Sequence, residues 1–319
     1  MTVPGPPFLE YGGLTSVPGP FECSDVTIYL FGLRADPDLL ADLCATVLHD
    51  PDGTMSYTPL GEFVMLSFGS MVVRSLSQSR SPLFGTAYAD MGTSAERHAA
   101  IWVPTAAGHR ADHADLIDRI SLFIPAMWVD NPVSLLGGRD IYGIAKQWGE
   151  PTITTGDRPS CSLDVFGGAF GRDETSGLHP LLELTPQAGV HVGEAVEELA
   201  AEAGRIAGDA LGQLLRGTVT LPDEALFREA AAAVAGHQLR QVGARQFRTS
   251  EQDGLVAGAV ELVELTTTFG RFHARLLRHG FDFTLHTLAS HPLGRTLGLS
   301  SQTVPFGLEV TGQFVLASA

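Results

Sequence analysis

Lysine is almost missing from this chain: Lys146 is the single lysine among 20 basic residues in 319. Basic charge is scarce as a whole, the formal charge being −16 and the pI near 5.0. Binding to a phosphate backbone needs concentrated Lys and Arg, so nucleic acid is not an expected partner. Cysteine is equally sparse. Cys23, Cys44 and Cys161 are odd in number, far apart and without a CxxC pair, which excludes a disulfide framework or zinc finger and leaves reduced, structural thiols. No apolar run approaches the roughly 20 residues of a membrane span. The N-terminal stretch lacks a basic segment followed by an apolar one, so no secretory signal is read and the cytoplasm is the expected compartment.

What is present describes a globular protein: 44% apolar and 18% charged residues. Residues 1–20 read as an irregular arm punctuated by Pro4, Pro6, Pro7, Pro18 and Pro20. Val26, Ile28 and Leu30 then alternate with Thr27, Tyr29 and Phe31, predicting a strand with one strongly apolar face. Asp36-Pro37 supplies a helix N-cap and first helical residue before Leu39, Leu40, Leu43, Cys44, Val47 and Leu48 recur at helical spacing. Short strands are predicted at 63–68, 99–103, 122–129, 141–145 and 162–166, with turns at Asp130-Asn131-Pro132 and Gly137-Gly138 and a hairpin loop at Gly167, Gly168 and Gly171. Residues 190–236 read as a helical insertion. Strands resume at 258–267, 281–288 and 307–316, with Ser290-His291-Pro292 opening a short helix. Strands on both sides of the helical pair favour one α+β domain over residues 1–319, built on a curled, mostly antiparallel β-barrel-like sheet.

Where a bare positive charge suffices this chain uses arginine, so its one amine is expected to do what a guanidinium cannot: lose a proton and attack a carbonyl. Compositional bias accounts for the arginine excess but not for the position of the last lysine. A lysine of ordinary pKa, about 10.4, is only roughly 0.04% neutral at pH 7, so such a nucleophile needs desolvation or a neighbouring cation. Ile144, Ala145 and Trp148 offer an apolar setting, and Tyr142, Ile144 and Lys146 share one face if the segment is extended.

Other clusters are weaker. His109 and His113, with Asp112 and Asp115 beside them, could face one metal on a helix, but the charged, loop-like context favours a solvated surface and no metal is expected. His273, His279, His286 and His291 have no metal-ligand spacing. Arg240, Arg245 and Arg248 form a basic patch that a solvated strand edge explains. No GxSxG supports a serine hydrolase.

Trp128-Val129-Asp130-Asn131-Pro132 followed by Gly138-Arg139-Asp140-Ile141-Tyr142-Gly143-Ile144-Ala145-Lys146-Gln147 resembles the acetoacetate decarboxylase family, which carries a "DN…GRE…PKK" stretch whose first lysine forms the substrate imine. The resemblance runs from about Phe21 to the C-terminus and is weakest across 190–236. It implies Lys146 as the imine-forming lysine. It also implies Glu96 as the catalytic-site glutamate and Arg34 as the active-site arginine before the first helix. Tyr142, Gln147 and Trp148 join them as expected substrate-binding residues.

Two departures stand out. Gln147 replaces the second lysine, whose charge would help neutralise the first; acetoacetate decarboxylase is itself the standard example of a lysine activated in this way. The segment Phe63–Phe68 lacks the acidic residue those enzymes hold on an early strand, Glu62 lying just outside it. The resemblance implies a cofactor-free, homo-oligomeric lyase acting on a small-molecule oxo acid, with decarboxylation of a 3-oxo acid as the family's reaction. Gln147 and the missing acidic residue favour the alternative of aldolase-dehydratase or cyclase chemistry on a 2-oxo acid, and a non-catalytic barrel binding a carbonyl ligand is a further alternative.

Overall fold

Alternation along the chain becomes thirteen strands in a computed structural model, which describes residues 17–50, 53, 55–111, 114–188, 238–248, 257–277 and 279–318. The predicted arm up to residue 16 and the predicted helical insertion at 190–236 lie outside the described residues. In chain order the strands are β1 (Phe21–Arg34), β2 (Met55–Pro59), β3 (Phe63–Ser75), β4 (Ser94–Ala111), β5 (Ala114–Val129), β6 (Lys146–Thr154) and β7 (Ser160–Gly167). They continue as β8 (Gly177–Pro186), β9 (Gln238–Arg248), β10 (Ala257–Leu277), β11 (Phe281–Leu285), β12 (Gln302–Val304) and β13 (Gly307–Ser318). Among the described residues three α-helices accompany them: α1 (Pro37–Val47), α2 (Pro132–Asp140) and α3 (Leu293–Leu297).

Strand order runs β5-β9-β10-β13-β1-β3-β4, and β4 pairs back onto β5, so these seven strands close a barrel. From β5 the sheet also continues through β6, β7, β8, β11 and β12, while β2 extends β4 on the other side. Pairing is antiparallel except where β5 meets β6 and β9. The expected mostly antiparallel barrel is what the structure shows, and among the described residues no helix is long and apolar enough to cross a membrane.

Closure gives the barrel strands two buried faces. On β1 the deeply buried residues are Tyr29, Phe31 and Leu33, the opposite parity from the Val26, Ile28 and Leu30 face expected from sequence. They join Leu66, Phe68 and Ile101 in a core shared with the outer strands, where Leu163, Leu182 and Phe283 pack against them. The parity changes where the pairing slips between Cys23 and Val26, with Asp25 in a left-handed conformation. A second, smaller core built on Ala100, Ile124, Met127 and Ile144 fills the barrel interior.

The segment preceding Lys146 is not the strand predicted at 141–145. Gly137 and Gly138, read as a turn, lie inside α2, and the chain turns at Ile141-Tyr142 before β6 begins at Lys146 itself. A Cβ on Gly138 would sit 2.5 Å from Lys146 Cδ, so glycine is required here by the lysine stem packed on the helix. Asp36 caps α1 as expected, accepting from the amides of Asp38 and Leu39. His109 to Ala111 belong to β4 and Ala114-Asp115 to β5, not to a helix or free loop; residues 112–113 lie outside the described residues. All three cysteines are free and buried.

Asn131 does two jobs. Its side-chain oxygen accepts from Ser134 N at 3.1 Å, capping α2, and its amide donates to the Ala95 carbonyl at 2.8 Å, tying the helix to β4. Replacing Asn131 by Ala removes both, and we expect a loss of about 1–2 kcal/mol, read from the shift of the urea unfolding midpoint at unchanged m-value.

Candidate active site

On β4, alternation puts Glu96, His98 and Trp102 on one face, and that face looks into the barrel. The cavity there measures about 160 Å³. Glu96 is set by its neighbours on either side: the Ala95 carbonyl is held by Asn131, and Arg97 is held by Asp130 through its backbone amide and its Nε, both at 2.7 Å. The Asp-Asn pair read from the sequence thus braces the residues flanking Glu96 from outside.

Lys146 enters from the first residue of β6, which pairs with β5 beside β4, and is 8% exposed. Its Nζ lies 3.4 Å from Glu96 Oε2 and also donates to Ser134 Oγ, in the first turn of α2. The stem runs over Gly138, and Ile144 and Met127 border the cavity beside it. Upstream, Gly143 has φ of +64°, and a Cβ there would meet Arg245 N at 2.6 Å, so the turn that delivers Lys146 is open only to glycine.

Of the residues expected from sequence, Lys146, Glu96 and Tyr142 meet at this cavity. Tyr142 reaches it from a turn rather than from a shared strand face. Its ring packs edge-on against Phe21 at 5.7 Å, and burial pushes its phenol up, opposed by a hydrogen bond with the Gly19 backbone.

Three expected residues lie elsewhere. Arg34 ends β1, six residues and roughly 20 Å along the strand beyond cavity-lining Ile28. It is largely exposed, pairs with Glu62 at 2.7 Å and stacks over Phe63. Gln147, one residue after the lysine, has the opposite strand parity and bonds His291 Nε2 at 2.9 Å outside the barrel. Trp148 is 40% exposed and does not line the cavity, so Ile144 and Met127 supply the apolar setting assigned to it.

Sequence reasoning missed His98 and Ser134. The signal for His98 was present, since Glu96-Arg97-His98 in a strand places the first and third side chains together. His98 Nδ1 lies 3.7 Å from Glu96 Oε1, and neither ring nitrogen has a hydrogen-bond partner among the described residues. Its ring packs on Gly69 of β3, where a Cβ would come within 2.5 Å. Burial lowers its pKa to about 4, with Glu96 and Asp130 opposing and Lys146 reinforcing the shift, so the ring is neutral at pH 7. Cys23 also borders the cavity; burial, with Glu96 adding to it and Lys146 opposing, pushes its thiol up to about 12 and leaves it protonated.

Residues 48–175 match the acetoacetate decarboxylase (ADC) family. Among solved structures, the enduracididine biosynthesis enzyme MppR with HEPES buffer bound aligns over 100% of this chain and 98% of its own, at 13% identity and a TM-score of 0.51. MppR complexed with the condensation product of pyruvate and imidazole 4-carboxaldehyde aligns over 97% and 92%, at 13% identity and a TM-score of 0.50. An acetoacetate decarboxylase-like enzyme from Sphingomonas wittichii RW1 aligns over 97% and 95%, again at 13% and 0.50. At such identities these likenesses are of fold. No curated protein matches the sequence. The family match spans both the β4 carboxylate and the β6 lysine.

Because the folded pKa of His98 lies below the ordinary value of 6.5, the unfolded chain binds its proton first as pH falls. Its contribution to stability is complete above pH 6.5 and is lost as pH falls toward 4, by up to ~3 kcal/mol. Urea unfolding at a series of pH values should show this slope. Replacing His98 by Phe should flatten it.

Proposed function

We propose that the protein is a Schiff-base lyase acting on a small oxo acid through Lys146, with decarboxylation of a 3-oxo acid as its reaction. The observation that carries this reading is the single lysine buried in an apolar cavity with Nζ held between Glu96 and Ser134. An amine so placed is desolvated and aimed, and Glu96 Oε2 is within reach of the proton it must give up before attacking. Attack of Nζ on the substrate carbonyl and loss of water give a protonated imine. When the bond to the carboxylate breaks, carbon dioxide leaves and the electron pair moves into the imine, forming an enamine. Glu96 serves as the proton donor to its carbon, and water then hydrolyses the imine and frees the amine.

The position of Arg34 bears on the choice of reaction. An arginine clamped on the departing carboxylate would stabilise the ground state and oppose its loss. Arg34 is paired with Glu62 away from the cavity, and no arginine is among the described residues lining it. That arrangement favours decarboxylation over aldol or cyclisation chemistry, in which the carboxylate is retained.

Incubation with acetoacetate or pyruvate followed by borohydride should leave a stable adduct on Lys146, located by intact mass and peptide mapping. Its mass, with or without carbon dioxide, separates decarboxylation from chemistry that keeps the carboxylate. Lys146→Arg should abolish the side-chain adduct, and Glu96→Gln should lower carbon dioxide release by roughly 10²- to 10⁴-fold. If Lys146 stays unmodified across a panel of oxo acids, a barrel that only binds a carbonyl ligand replaces this reading.

A further inference from the structure

The wall facing Lys146 is unlike its surroundings at the amine. Where Nζ sits, Glu96 and Ser134 supply polar groups; β1, β3 and β13 contribute Phe21, Ile28, Met71, Val73, Phe314 and Leu316. Three polar side chains interspersed along the cavity, those of Ser75, Trp102 and Gln241, have partners within the protein. Ser75 Oγ donates to the Pro18 carbonyl at 2.6 Å, the Trp102 indole N–H to Ser67 Oγ at 2.8 Å, and the Gln241 amide to Thr267 Oγ1 at 2.7 Å. Trp102 therefore offers the cavity its ring rather than its N–H. Among the described lining residues the carboxylic and amino side chains are those of Glu96 and Lys146, which face each other, while His98 and the Cys23 thiol are uncharged at pH 7.

From this division we infer that the compound turned over here carries an apolar tail, seated against the β1, β3 and β13 wall while its carbonyl meets Lys146. The inference rests on the imine reading above and adds the substrate class: a 3-oxo acid, or the methyl ketone it yields, substituted with a short aliphatic or aromatic group. Size sets the length. Apolar cavities of ~150 Å³ hold benzene, and this one measures about 160 Å³. A tail of about three to five carbons beyond the carbonyl fills such a space. Each methylene moved from water onto this wall should strengthen binding by about fourfold.

The test uses the full chain and the methyl ketones acetone, 2-butanone, 2-pentanone, 2-hexanone and 2-octanone, with cyanoborohydride trapping at Lys146 read by intact mass. The ketone concentration giving half-maximal adduct should fall by about fourfold per carbon and then level off or rise once the cavity is full. Val73→Ala should move that turning point to a longer ketone and Val73→Phe to a shorter one, each measured relative to acetone on the same variant. Should either variant fail to fold, the series on the unaltered protein decides alone. Adducts on Lys146 whose half-maximal concentrations are flat or rise from acetone onward would overturn the apolar tail while leaving the imine reading intact. No adduct from any ketone or oxo acid removes the imine reading, and this inference with it.

Discussion

The pairing of β4 with β5 is the constraint on which the rest of the molecule depends. It converts an open sheet into a seven-stranded barrel, and only then does the inward face of β4 become an enclosed wall. On an open sheet Glu96 and His98 would face water and the lysine would meet a solvated carboxylate. Closure removes water from both. Glu96 and His98, each nearly inaccessible, then share one small space with the Lys146 side chain, and Glu96 and Lys146 meet as partners instead of standing as isolated buried polar groups. The same closure leaves the outer face of these strands free to pack the larger core against the sheet continued through β6 to β12.

Within that frame the site is held by its neighbours more than by its own contacts. Asp130 and Asn131 touch neither Lys146 nor the cavity; they fix the residues on each side of Glu96 and start the helix that carries Ser134. Glycine serves the other side. Gly138 lets the lysine stem lie on α2, Gly143 allows the left-handed turn into β6, and Gly69 makes room for the His98 ring. A recognisable sequence stretch around a reactive residue is here mostly mounting hardware, and its residue types follow from close approach rather than from chemistry.

Much of the fold was legible because short apolar or alternating runs bounded by turn-forming residues mark β1, β3, β5, β7, β10 and β13, and because Asp36-Pro37 is a local signal. What alternation does not reveal is which face is more deeply buried when both are. On β1 the Val26 and Ile28 side faces the barrel interior while Tyr29, Phe31 and Leu33 are buried more deeply in the larger core outside it. Lys146 stood out by composition alone, and Glu96 through resemblance to a family. Arg34 was misplaced because distance along a strand, about 3.3 Å for each residue, carries a neighbour in sequence pattern out of a small cavity. Segment 141–145 was misread as a strand because the reason for its one glycine, Gly143, lies in partners a hundred residues away, at Ala244 and Arg245.

Lys146 and Gln147 are consecutive yet belong to different compartments, one inside the barrel and the other bonded to His291 outside it. β6 pairs with β5 over only three positions, from Met127 opposite Lys146 to Val129 opposite Trp148. So short a ladder is a weak guardian of register, and a slip by one residue would exchange the faces of every side chain on the strand. The amide would then occupy the cavity and the amine would be lost to the outer core. His291, itself hydrogen-bonded to Ser290, holds the amide oxygen of Gln147 outside the barrel, in the same register that the six-position ladder of β6 with β7 sets. Placement of the one lysine in this protein is in that sense proofread from the far side of the sheet.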